Sequence, residues 1–321
     1  MLMIKEKKAH FLKKLILCVI AGFILVPLLV DAKPRYSRFA KIDRNYLVQQ
    51  FIDEPGLDQK FLEKVFFHPK LKKIPVVTER NVYNVENKRN YDDFLSSYSV
   101  MVAHRFSKKW KTVLKRASSK FEVDEEVLVA ILLVETGFGN LLGKYPVISV
   151  FSSILVDADS FIKIHQGKPD LDEDQKYRLA RLEKKSRWAK HELSALLMIV
   201  KKTPYGPFDI KGSFAGAFGI PQFLPSSYLK WGFDSDKNGS VNLFLMPDSI
   251  YSTANYLKSH GWEKGLHLES NKKAIWSYNN SEYYVSTVMA LANKIKELSG
   301  GENQGKEKKQ TRIYDDDNPV L

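Results

Sequence analysis

Hydrophobic positions fall at helical spacing along most of the chain, and in one stretch they close into an unbroken run. From Asp92 to Lys115, the residues Phe94, Tyr98, Met101, Val102, Phe106, Trp110 and Leu114 recur every three or four positions, the period of an amphipathic helix. Eight apolar residues, Val127 to Val134, then stand side by side within DEEVLVAILLVETGFG at 124–139. A segment that is apolar on every side reads as a buried helix. Asp124 is placed to cap it, and Glu125 and Glu126 occupy its first turn, where the helix dipole favours anions. Shorter helices are predicted at 46–52 and 58–67, parted by Pro55-Gly56. One extended run, Ile74 to Val77, interrupts a charged, loop-like stretch at 69–90. A loop and a short helix are predicted at 144–156, and a polar turn at 166–174. The helix predicted at 172–202 is charged at first and apolar at its end, through Leu193, Leu196, Leu197 and Val200. Helices at 248–260 and 285–298 follow.

Glu135 is the odd member of the apolar stretch. Leu128, Ile131, Leu132 and Glu135 are spaced i, i+3, i+4, i+7, so the carboxylate shares a face with core residues. It also lies at the negative end of the helix dipole. Desolvation and the dipole both disfavour its charged form. A carboxyl that keeps its proton near neutral pH is what a general acid requires. The competing reading is a helix-end Glu turned to water.

Charge and composition narrow the setting. The 321 residues carry a net +13, of which the chain beyond residue 32 keeps +10. The basic residues are scattered, which fits either a soluble basic surface or an anionic polymer as partner. Lys5, Lys7, Lys8, Lys13 and Lys14 precede a sixteen-residue apolar stretch, Leu15 to Val30, and Val30-Asp31-Ala32 offers a cleavage site. Residues 1–32 therefore read as a signal peptide, or as an uncleaved membrane anchor. Export to the periplasm or cell envelope is expected, and it argues against nucleic acid as the partner. The lone Cys18 lies inside this segment, so the mature chain has neither disulfide nor thiol nucleophile.

Three later stretches carry candidate chemistry. His191-Glu192 opens like a zinc-binding HExxH, but Ala195 stands at the fifth position, so zinc is rejected. KGSFAGAFGIPQFLPSSY at 211–228 is dense in Gly, Pro and small hydroxyl residues, and Pro221 and Pro225 bracket Gln222 and Phe223. It suits a tight packing loop or a substrate groove. DSDKNGSVNLFLMPD at 234–248 places Asp234, Asp236 and Asn238 at positions 1, 3 and 5 of a calcium loop, with Gly239 and Ser240 at 6 and 7. Leu245 stands where Glu is usual, and Asp248 is a late substitute. A structural Ca2+ and an Asx-rich turn are both open. Trp276, Tyr278, Asn279, Asn280, Tyr283 and Tyr284 set rings beside amides, a palette for sugars as well as for core packing.

Together these segments resemble the lytic murein transglycosylases of the B type. The resemblance spans roughly 50–296, and four motifs carry it in the family's order: VETGFG at 134–139, KGSFAGAFGIPQFLPSSY at 211–228, the Asp234 loop with ANYLKSHGW at 254–262, and SYNNSEYY at 277–284. It implies a mainly α (α+β) chain with a lysozyme-like core, an added N-terminal helical region and an EF-hand-like loop. The implied division is an N-terminal scaffold at 33–118, a catalytic core at 119–299 containing the loop at 234–248, and a disordered tail at 300–321. By the resemblance, Glu135 is the catalytic acid. Ser213, Gln222, Phe223, Tyr256, Tyr278, Asn279 and Tyr284 bind substrate, and Asp234, Asp236, Asn238, Ser240 and Asp248 bind calcium. The implied partner is the peptidoglycan glycan strand, cut by a monomer that needs no cofactor for the chemistry. Glu135 would serve as acid and then base, giving 1,6-anhydro-N-acetylmuramic acid ends with no second carboxylate. The alternatives are a muramidase-type hydrolase and an inactive peptidoglycan-binding protein. Gly137-Phe138, Phe218 and Leu224 depart from the family's usual residues, which bears on groove shape.

Overall fold

The computed structural model describes residues 36–83, 91–265 and 269–315, with side chains as far as Gly300. The expected export segment at 1–32 lies outside these residues. No described helix is long and apolar enough to cross a membrane. The chain is mainly helical, and its one named sheet among the described residues is a two-stranded antiparallel pair, Tyr145↔Gly212 and Pro146↔Lys211.

The residues group into two compact units that are not sequential. Among the described residues, one takes 91–138 and 250–315, and the other takes 36–83 together with 139–249. The boundary expected at 118/119 falls inside a helix of the first unit, because residues far apart in sequence complete each core.

The first unit holds α4 (Ser97–Lys109), α5 (Lys111–Phe121), α6 (Glu125–Thr136), most of α10 (Met246–Ser259), α11 (Glu269–Tyr278) and α12 (Glu282–Asp315). Helix α6 is the apolar run of the sequence, and Val127 to Leu133 are 0–1% exposed. Helices α4, α5 and α12 pack around it. Asp124 takes the N-cap position but makes no side-chain bond to its own helix. Its Oδ2 instead accepts from Trp262 Nε1 at 3.1 Å and from Gly265 N at 2.9 Å. Helix α12 continues to Asp315, past the point where a disordered tail from Gly300 is expected. The Glu, Gln and Lys residues of 302–310 are good helix formers, and polarity alone does not break a helix.

The second unit holds α1 (Lys41–Phe51), α2 (Gln59–Phe66), α3 (Pro75–Tyr83), β1 (Tyr145–Pro146), α7 (Val147–His165), α8 (Glu173–Lys202), β2 (Lys211–Gly212) and α9 (Pro225–Trp231). Helices α7 and α8 form its centre, with α3 and α9 against them. Asp172 opens α8 with a capping box: its Oδ1 accepts from Gln175 N, and Gln175 Oε1 accepts from Asp172 N. The run expected to be extended at 74–77 is instead the start of α3. Pro75 sits at the first helical position, where its missing N–H costs nothing. Ile74 N–H donates to Ser153 Oγ of α7 at 2.9 Å.

Candidate active site

Glu135 stands one residue before the end of α6. Beyond Thr136 the backbone turns left-handed twice, at Gly137 (φ 56°) and at Phe138 (φ 62°). Gly137 N–H donates to Leu133 O and Phe138 N–H to Leu132 O, which satisfies carbonyls that the helix end would leave bare. Glycine adopts this region freely, but Phe138 is strained there. Its ring stacks on Phe106 with centroids 3.8 Å apart and planes within 5°, a contact that offsets the strain.

Tyrosines surround the carboxyl. Tyr284 Oη donates to Glu135 Oε1 at 2.6 Å. The Tyr278 ring lies parallel to Tyr284 at 6.4 Å, and Tyr256 meets Tyr278 edge-on at 4.8 Å. Tyr91 closes the other side of Tyr284, edge-on at 6.5 Å. Burial pushes the Glu135 carboxyl up to about 7, against the opposing pull of the Tyr284 hydrogen bond. The residue as a whole keeps partial exposure. Burial, and then the Glu135 charge, hold the Tyr278 and Tyr284 hydroxyls far above the ordinary tyrosine range. They therefore stay neutral donors. Burial pushes Tyr256 up to about 12.

The structure thus brings Glu135, Tyr256, Tyr278 and Tyr284 together within the first unit, and it gives them unequal places. Tyr284 is 1% exposed and reaches Glu135 directly. Tyr256 is buried, with its hydroxyl on Ser277 O at 2.5 Å. Tyr278 and Asn279 keep partial exposure, and Asn279 N–H closes α11 on Ile275 O. Tyr91 is missing from the sequence reading. It lies in a stretch read as scaffold, and no motif marks it.

Ser213, Gln222 and Phe223 belong to the second unit. Ser213 Oγ accepts from Ala217 N at 3.2 Å. Gln222 has φ 51°, and its Nε2 donates to Gly219 O at 2.8 Å. Phe223 is expected to offer a ring to sugar, but it is 2% exposed. It bridges Phe218 through the backbone, with N–H···O bonds of 2.9 and 3.0 Å. Its ring therefore packs the bend instead of facing outward. Gly216 shows why the segment is glycine-rich: at φ 78°, an added Cβ would lie 2.2 Å from the Phe151 ring.

Glu192, set aside with the failed zinc motif, has a structural task. It is 3% exposed. Its two oxygens accept from Ser226 N at 2.9 Å and Ser226 Oγ at 2.8 Å. The N-cap residue of α9 is Leu224, which has no acceptor, so a carboxylate from α8 fills that role. His191 is exposed, as expected of a surface residue.

The acidic loop also lies in the second unit. Asp234, Asp236 and Asp248 each place a carboxylate oxygen within 4.8 Å of the others. Asp248, 3% exposed, accepts from Ser235 N and Oγ on one oxygen and from Asn242 N at 2.7 Å on the other. Asp234 accepts from Gly239 N at 2.7 Å and Asn238 N at 3.2 Å. Asn238 Oδ1 accepts from Ser240 N and Oγ. These are hard oxygen donors in a tight loop, a set that fits calcium.

A mainly helical chain with a desolvated carboxyl at the end of its buried helix has the lysozyme-like fold. The sequence matches the family described as Transglycosylase SLT domain over residues 43–270, and the chain belongs to that family. It is 30% identical over 172 residues to membrane-bound lytic murein transglycosylase B of Escherichia coli K12. That match covers 54% of this chain and 41% of the relative, so the chain spans about two fifths of the relative's length. The fold is that of the E. coli lytic transglycosylase Slt35 in complex with bulgecin A, with a TM-score of 0.66, 20% identity, and coverage of 85% of this chain and 99% of that one. The same enzyme is known in complex with calcium, with a TM-score of 0.64, 20% identity and the same coverage. SltB3 of Pseudomonas aeruginosa, in complex with NAG-anhNAM-pentapeptide, matches with a TM-score of 0.63 at 20% identity, over 79% of this chain and 78% of that one.

Proposed function

We propose that the protein is a lytic transglycosylase that cleaves the β-1,4 bond between N-acetylmuramic acid and N-acetylglucosamine in peptidoglycan. One observation carries the reading: a carboxyl pushed up to about 7 by burial, held on one oxygen by Tyr284, in a residue that keeps partial exposure. Glu135 donates its proton to the glycosidic oxygen, the C1–O bond breaks, and the leaving sugar departs with a 4-hydroxyl. The resulting carboxylate, now bonded by the Tyr284 hydroxyl, takes the proton from the C6 hydroxyl of the muramic acid. The C6 oxygen attacks C1, the 1,6-anhydro ring closes, and Glu135 is again protonated. No water is consumed, so one carboxylate serves both steps.

Tyr278, parallel to the Tyr284 ring, and its neighbour Asn279 are assigned to sugar binding, because both keep partial exposure. Ser213 and Gln222 are assigned to glycan binding, as the resemblance implies. Asp234, Asp236, Asn238, Ser240 and Asp248 would hold a calcium ion that braces their loop and takes no part in the reaction. The complex of SltB3 with a muropeptide, and the membrane-bound relative, support peptidoglycan as partner and the cell envelope as location.

The test is the mass of the muropeptides that the full chain releases from purified sacculi. Anhydro products are expected. Products heavier by one water would overturn the reading in favour of a hydrolase, and no release at all would favour a binding protein.

A further inference from the structure

We propose that the exposed face of α5 docks on the phosphate headgroups of an anionic lipid bilayer. Between Phe94 and Phe121 the sequence holds seven Lys and Arg and no carboxylate. The structure gathers much of that charge on one surface. Lys111 and Lys115 form one row of α5, Arg116 and Lys120 form another, and Thr112 and Ser119 lie between them, as about 100° per residue requires. All six are exposed and bound a shallow depression of about 570 Å³. The opposite face of α5, with Leu114, Ala117 and Phe121, is buried, so the helix cannot roll its cations away.

The lining chemistry selects the partner. It offers ammonium, guanidinium and hydroxyl donors, without carboxylate, amide or ring. Sugars are held by rings and amides, whereas phosphate oxygens are held by this donor set. Glu125 of α6 lies close enough to feel Lys115 and Lys111. Arg116 and Lys120 stand on the far side of the hydroxyls. A bilayer presents its phosphates in a plane, so both rows engage at once, and each cation adds about fivefold to the affinity.

The experiment is co-sedimentation of the full chain with phosphatidylglycerol-containing vesicles and with pure phosphatidylcholine vesicles, at low and high salt. The test variant carries K111E, K115E, R116E and K120E. A control with K60E, K168E, K184E and R187E has the same net charge, changed at exposed positions elsewhere. The unaltered chain should bind anionic vesicles in a salt-sensitive way. The α5 variant should lose about 100-fold or more, and the control should stay within about tenfold. Should the glutamates unfold the chain, glutamine at the same four positions gives the same readout. Equal loss in both variants overturns the proposal, as does unchanged binding by the α5 variant, which would assign attachment to the N-terminal segment. Loss confined to soluble polyphosphate, or to purified sacculi, also overturns it and gives the face to a free phosphate polymer or to the wall.

Discussion

Glu135 and Asp234 are both carboxylates that the sequence marks for chemistry, and their surroundings drive them in opposite directions. Around Glu135 there are rings and a single hydroxyl donor, and burial pushes the carboxyl up to about 7. Around Asp234, desolvation also works against the charge. There, however, the N–H groups of Gly239, Asn238 and Lys237, together with a hydrogen bond to Asp236, outweigh it and hold the carboxyl below its ordinary range. The number of donors decides the outcome. A helix end packed in rings keeps a carboxyl protonated, and a loop whose amides point inward keeps its carboxylate charged.

The largest expected effect is on the reaction. Glu135→Gln should lower the rate of peptidoglycan cleavage by about 10³-fold or more, because it removes both proton transfers. The same substitution should change stability with a definite sign. The folded chain holds the Glu135 proton up to about pH 7, and an unfolded glutamate releases it near 4.5. Between those values the unfolded state binds fewer protons, so stability falls as pH rises through that window, by at most roughly 3 kcal/mol. Denaturant unfolding at pH 5 and pH 8 should show this fall in the unaltered chain and not in Glu135→Gln. Equal slopes in the two would break the contrast with Asp234.

Asp248→Ala should come next. It strands Ser235 N–H and Asn242 N–H, which both end on this buried carboxylate, at a cost of about 2–4 kcal/mol by thermal unfolding. Tyr284→Phe should reduce kcat/KM by about tenfold. It should also move the basic limb of the pH profile upward, because the hydrogen bond it removes favours the carboxylate. A downward shift would mean that the hydroxyl favours the acid form. The smallest effect is on the metal loop. Millimolar calcium should raise the melting temperature by a few degrees, and Asp234→Ala should abolish the rise. A rise that survives the substitution places the ion elsewhere.

Much of the first unit's centre was legible in the sequence, because an eight-residue apolar run has few uses other than a buried helix. The chemistry at its end was legible only in part. Glu135 on the core face could be read from spacing, but the hydroxyl that orients it comes from Tyr284, 149 positions away. Phe223 shows the opposite limit. A phenylalanine between two prolines looks the same whether its ring faces a sugar or the core, and only packing separates the two. The calcium-type loop announced its opening through D-x-D-x-N-G, whereas its closing residue, Asp248, sits on a different element and off the usual register. At Ile74–Val77, β-branched residues suggested a strand, and Pro75 as a first helical residue outweighed them.

The separation between Glu135 and Tyr284 also sets a timetable. Ribosomes add about 5–20 residues per second, so roughly 7–30 s pass between making the acid and making the tyrosine that orients it. Helix α6 must also wait for α12, its packing partner from the end of the chain. A nascent or prematurely ended chain carries the glutamate in water, at an ordinary acidity and without a proton to give near neutral pH. The carboxyl gains its raised hold on the proton only once α12 has been made and packed against α6.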